Sequence, residues 1–182
     1  PMATHSSTGS TRHYQEELST TLNPSLLLCD NWYHSVGMNG NFLLNLPPDQ
    51  RGLIHENDVK ALQGLRRYLD QAFATNLVSG AGATASNVRG NSSEYDAVLA
   101  IDDDAGSFWA TDDDIREASL TINFRQKTTL NAVLLQEYIA LGQRVKSFSI
   151  EAGSGGDLRE VASGTTIGNR RIVKFDTVGA DQ

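Results

Sequence analysis

One cysteine, Cys29, is all the chain holds in 182 residues, so no disulfide closes within it. No histidine stands beside it in a cysteine-nucleophile motif, and the residues favour a buried structural thiol. Positive charge is also scarce: 15 Lys and Arg face 22 Asp and Glu, for a net charge of −7. Binding to a phosphate backbone runs on the opposite sign, so the expectation is no nucleic-acid partner. No apolar run approaches the ~20 residues that cross a bilayer, and no membrane partner is expected. Catalytic signatures are missing as well. His5, His13, His34 and His55 show no metal spacing, no G-x-S-x-G occurs, and Gly153-Ser154-Gly155-Gly156 lacks the Lys-Ser/Thr of a phosphate loop. The opening residues have no basic and apolar leader pattern. Thr4 to Thr21 is Ser/Thr-rich and poorly patterned, and is expected to be disordered or the cut edge of a larger protein.

What is present divides in two. Residues 26–36 have helical spacing, with Leu28, Trp32 and Val36 at i, i+4 and i+8. Phe42-Leu43-Leu44-Asn45-Leu46 reads as a strand buried on both faces, stopped by Pro47-Pro48. From Asp58 to Phe73, Val59, Leu62, Leu65, Leu69 and Phe73 make one helical stripe, with Asn57 as the expected N-cap. After Thr75 the texture changes to glycine- and serine-marked turns between short period-two segments: ASLTINF, NAVLLQEYI, VKSFSIE and RRIVKF, with a turn at Gly153–Asp157. Short strands without helices indicate an antiparallel sandwich. The first half, by contrast, carries one strand between two helices, like the edge of a parallel α/β sheet or barrel. One strand makes no sheet, so its neighbours are expected outside this chain.

SVGMNGNFLLNLPPDQRGLIHENDVKAL, FATNL and ASNVRGN, then SFWATDD, VLLQEYIALGQRVKSFSIE and ASGTTIGNRRIVKF, closely resemble the α-L-fucosidases of glycoside hydrolase family 29. The resemblance spans roughly residues 35–178 and implies a mainly β chain in three parts. Residues 1–34 are a poorly matched lead, and 35–75 are the last strand and helix of a (β/α)8 barrel. Residues 76–182 are a discoidin-like (galactose-binding-like) jelly-roll sandwich, expected to be incomplete because family members continue past KFDTV. The family's retaining mechanism uses two carboxylates about 5–5.5 Å apart. No Asp or Glu here matches either motif, so the chain alone is expected to be inactive and to support a catalytic barrel supplied upstream. Fucosylated or galactose-containing glycans are the implied partners, and an extracellular, periplasmic or vacuolar place is implied. A stand-alone carbohydrate-binding module and a non-functional truncated product remain open beside this reading.

Five residues are the candidate site. Barrel sites form at the C-terminal ends of strands, which would put Asn45 near the substrate or into a structural hydrogen bond. Trp109 is either a sugar-stacking platform or core, with core favoured. In AIDDDAGSFWATDDD the resemblance places Asp102, Asp104 and Ser107 where such modules carry oxygen ligands for a structural calcium, no cofactor being implied for catalysis. Asp103 stands where the pattern has glycine. The alternative is a solvated acidic loop; an EF-hand is excluded because Gly106 is fifth in the loop and no helices flank it. Glu137 and Arg144, in QEYIALGQR, are expected either to pair between domains or to form a simple surface ion pair. Asn91-Ser92-Ser93 is a glycosylation sequon whose meaning depends on a secreted eukaryotic source.

Overall fold

The computed structural model describes residues 3–4 and 24–182. The expected disorder or cut edge over Thr4–Thr21 falls almost wholly outside those residues. The chain divides into two compact units, Pro1–Thr75 and Asn76–Gln182.

In the first unit, α1 (Pro24–Ser35) packs on α2 (Glu56–Ala72). Cys29 and Tyr33, one turn apart, are the buried face of α1, and Ala61 and Leu65 that of α2. Burial and a hydrogen bond to the Tyr68 hydroxyl push the Tyr33 phenol well above its usual pKa. The two helices approach closely where Ser25 lies against Gly64. At its C-terminal end, α1 tightens into a 3-10 turn over Val36–Met38 and stops at Asn39, whose φ of 67° is left-handed. The second helix starts two residues before the expected position. His55 is the N-cap, its Nδ1 accepting from the Asn57 amide at 3.2 Å, and Glu56 and Asp58 occupy the first turn. Imidazole can serve as that acceptor, so Asn57 falls inside the helix and is not its cap.

The expected strand over 42–46 is regular only at β2 (Phe42–Leu43). It pairs in parallel with β1 (Ala3–Thr4), so one neighbour does lie within the chain. Leu43 is 60% exposed, and the run is not buried on both faces. A two-residue ladder leaves the apolar side chains of Leu43, Leu26 and Leu53 in water, each about three-fifths exposed.

The second unit is strand-rich. β3 (Gly82–Ala85) pairs antiparallel with β4 (Leu120–Asn123), β5 (Thr128–Leu135) with β8 (Arg171–Ala180), and β6 (Phe148–Ser154) with β7 (Asp157–Gly164). The β6–β7 hairpin turns on Gly155 and Gly156, with φ of 64° and 85°, the two consecutive positive values that a tight hairpin needs. Sequence periodicity missed β3 and β7. Gly82-Ala83-Thr84-Ala85 has no large side chain to alternate, and the first four residues of β7 are all exposed. The core gathers Ala152 of β6 with Val178 and Ala180 of β8, packed by Leu130, Val161 and Phe175. Asp181 ties ladders together: the Phe124 amide donates to Asp181 O at 2.8 Å, and the Asp181 amide to Gly153 O at 2.9 Å. No helix among the described residues is long and apolar enough to cross a membrane.

Candidate functional site: a clamped loop cluster in the second unit

Between β3 and β4 the chain makes three short 3-10 turns, Arg89–Asn91, Ser93–Tyr95 and Ala97–Ala100, and then a loop. These segments are held by side chains far apart in sequence. Asn87 and Asp112 bond reciprocally: Asn87 Nδ2 donates to Asp112 Oδ2 at 3.0 Å, and the Asp112 amide donates to Asn87 Oδ1 at 2.9 Å. The Gly90 amide fills the remaining carboxylate oxygen at 2.9 Å. Beside them, Arg89 grips Asp113 with two guanidinium nitrogens at 2.6 and 3.0 Å. These hydrogen bonds hold both carboxyls below the usual aspartate range, Asn87 contributing most at Asp112 and Arg89 at Asp113; the positive charge of Arg144 adds a smaller part at Asp113.

Trp109 belongs to this clamp. Its ring is half-buried and its Nε1 donates to Asn87 O at 2.9 Å, so the indole dipole is spent on the loop. The aromatic that does reach the surface is Tyr138. It stacks on Phe108 with centroids 4.4 Å apart and planes 15° off parallel, and Phe108 meets Tyr95 at 5.8 Å. Tyr138 is 37% exposed and leads into exposed Ile139 and Leu141.

Glu137 sets where Tyr138 stands. One carboxylate oxygen accepts from the amides of Arg144 at 2.7 Å and Val145 at 2.9 Å; the other accepts from Gly168 at 2.7 Å. A single half-buried side chain thus ties together three points of the chain. The expected Glu137–Arg144 ion pair is replaced by this arrangement. Arg144 meets Glu137 through its backbone, and its guanidinium donates to Leu141 O at 3.3 Å. Three amides converge on the carboxylate more favourably than one solvated guanidinium would.

The Asp102, Asp104 and Ser107 side chains do come together. Ser107 Oγ lies 2.6 Å from Asp102 Oδ2, 3.0 Å from Asp104 O and 3.5 Å from Leu99 O. One hydroxyl proton serves only one of these acceptors, so the loop crowds more oxygens than it has protons to share. That donor chemistry fits a hard cation. The set holds two carboxylates, and among the described residues no three His, Cys, Asp or Glu side chains converge. Asp104 Oδ1 also accepts from the Gly106 amide at 2.8 Å. Ser107, then the Asp104 amide, keeps the Asp102 carboxyl below its usual range. Asp103 sits at φ 67°, the left-handed conformation that the glycine of the pattern adopts without cost. A cavity of about 240 Å³ opens beside this loop, lined by Asn76, Ser79, Val98, Ile101, Asp102 and Asp103. Asn45 belongs to the first unit, where it is exposed.

Sequence reasoning missed Asn87, Arg89, Asp112 and Asp113 as a unit. The Asn87–Asp112 and Arg89–Asp113 partners stand 25 and 24 residues apart, beyond any local period, and only the polar density of ASNVRGN and ATDDD hinted at them.

Three comparisons bear on this arrangement. The sequence profile of the F5/8 type C domain matches residues 82–180. Alpha-L-fucosidase 1 of Arabidopsis thaliana is 36% identical over 156 residues, which are 84% of this chain and 31% of that protein. A putative alpha-L-fucosidase 1 of Oryza sativa subsp. japonica is 32% identical over 153 residues, 83% of this chain and 30% of that protein. Among solved structures, a Ruminococcus gnavus glycoside hydrolase family 29 fucosidase in complex with fucose superposes with a TM-score of 0.78 at 30% identity. The match covers 86% of this chain and 32% of that one. The chain therefore spans about a third of the length of the relatives it matches.

Proposed function

Because the chain belongs to the F5/8 type C domain family and is homologous to the α-L-fucosidases of glycoside hydrolase family 29, we propose that it is the C-terminal part of such an enzyme and positions glycans for it. The observation that carries this reading is the loop cluster. Tyr138 offers an aromatic face anchored on Phe108, and the Arg89–Asp113 pair and Arg144 supply fixed charge in the same cluster. A pyranose has the matching surface, an apolar C–H face and a rim of hydroxyls. Stacking holds the ring, and the guanidinium and carboxylate groups orient the hydroxyls. Terminal α-L-fucosyl or galactose-containing glycans are the ligands proposed.

Hydrolysis, in this reading, is performed by carboxylates outside these residues, on a barrel whose last strand and helix are residues 35–75, and Asn45 stands near its mouth. The water-exposed Leu26, Leu43 and Leu53 of the first unit support a further packing surface there. The sandwich is residues 76–182. These 182 residues by themselves are expected to release no chromophore from a chromogenic α-L-fucoside. Turnover by the chain that a point change within 35–182 abolishes would overturn the division of labour. A folded chain that binds no fucose- or galactose-terminated structure on a glycan array would overturn the positioning role.

A structural calcium at Asp102, Asp104 and Ser107 is part of the same proposal, because oxygens crowd around the Ser107 hydroxyl. Bound there, the ion would neutralise the loop's negative charge and fix its conformation. Calcium should raise the melting temperature of the wild type, and Asp102→Ala should remove that response. Equal melting with calcium and with chelator would dismiss the ion.

A further inference from the structure

We propose that Asn91 is an attachment site for an N-linked oligosaccharide. Asn91-Ser92-Ser93 is the one Asn-x-Ser/Thr triplet in the sequence whose middle residue is not proline. The structure presents it outward. Asn91 ends the 3-10 turn Arg89–Asn91 with φ 49°, and its amide donates to Val88 O at 3.0 Å, so the backbone is fixed. Its carboxamide is exposed and makes no hydrogen bond among the described residues, and Ser93 is exposed too. Ser92 turns the other way, its Oγ capping the next turn by accepting from the Glu94 amide. A side chain added at Gly90 would meet nothing within 4 Å, so the space beside the asparagine is open. The Asp112 carboxylate holds the turn from behind through the Gly90 amide. A glycan on Asn91 would leave from this exposed side of the turn.

Attachment forms a bond from Asn91 Nδ2 to C1 of an oligosaccharide carried on a polyisoprenyl pyrophosphate. The C1–O bond breaks, the lipid pyrophosphate leaves with its electron pair, and one amide proton passes to a base of the transferring enzyme. The Ser93 hydroxyl occupies the place two residues on where that enzyme requires one. A glycan is bulky and solubilising. The Asn91 turn therefore stays open to water in the modified protein.

The test uses the full-length protein purified from its own source. Peptides spanning Asn91 are treated with a peptide N-glycanase in ¹⁸O water and read by mass spectrometry. Asn91 should be recovered as ¹⁸O-labelled aspartate, and recovery of unmodified Asn91 peptide before the enzyme is added would overturn the proposal. In a secretory eukaryotic host, Ser93→Ala should lose the mass of one glycan while melting at the wild-type temperature. Retention of that mass would overturn it as well.

Discussion

Glu137→Ala tests the idea that one carboxylate builds the loop cluster. The wild-type side chain accepts three amide hydrogen bonds, at 2.7, 2.9 and 2.7 Å, from Arg144, Val145 and Gly168. Bonds to a charged group contribute about 1.5–3 kcal/mol each when well desolvated, and neutral ones about 1. Glu137 is half-buried, and water can replace some of what is lost. A cost of about 2–4 kcal/mol follows. For a chain of this length that lowers the melting temperature by about 4–16 °C. Glu137→Gln should cost about 1–2 kcal/mol, because its oxygen still accepts while its amide group faces a donor. Urea denaturation gives the free energies. Amide hydrogen exchange gives the location, with protection lost first at Arg144, Val145 and Gly168. A change below about 0.5 kcal/mol, the level of an ordinary surface substitution, would refute the reasoning. So would lost protection spread evenly over the second unit.

The other predictions follow from single contacts. Phe148 lies directly across from Gly164, and a Cβ there would come within 2.5 Å of the ring. Gly164→Ala should therefore destabilise by about 1–3 kcal/mol, and Phe148→Leu should recover part of it in the double variant. Asp103→Gly should stabilise by about 0.5 kcal/mol by relieving the left-handed conformation, whereas Asp103→Val should destabilise by more than that. Thermal melts check both. Asn87, then Gly90, depresses the Asp112 pKa. A depressed carboxylate contributes stability above its unfolded pKa and loses it as pH falls through the folded one. Melting temperature should thus hold near neutrality and decline once pH drops below about 4. Asp112→Asn should flatten that decline, and an unchanged acid profile would count against the clamp.

Much of this fold is visible in local pattern. Leu120 and Ile122 alternate as a strand, the Gly155-Gly156 pair marks the β6–β7 hairpin, and the Leu62–Leu65–Leu69 stripe gives α2. Other features depend on tertiary partners that no local window contains. Phe42 to Leu46 has the composition of a buried strand, yet only two residues find a ladder, and burial follows the partners present more than composition. The site divides the same way. Crowded aspartates made the Asp102–Ser107 loop conspicuous. The Asn87–Asp112 pair needed the fold to close 25 residues of chain before it existed. Trp109, favoured as core over a stacking platform, gives its ring N–H to a loop carbonyl, and Tyr138, less conspicuous in sequence, holds the exposed stack.

The most direct test of the central claim is a calorimetric titration of the full chain with a fucosylated, galactose-containing oligosaccharide, repeated with Tyr138→Ala. The account predicts saturable binding that Tyr138→Ala weakens by about 3–10-fold, the loss of one aromatic contact. Absence of binding by a chain that melts cooperatively would contradict it, and so would affinity unchanged in the variant.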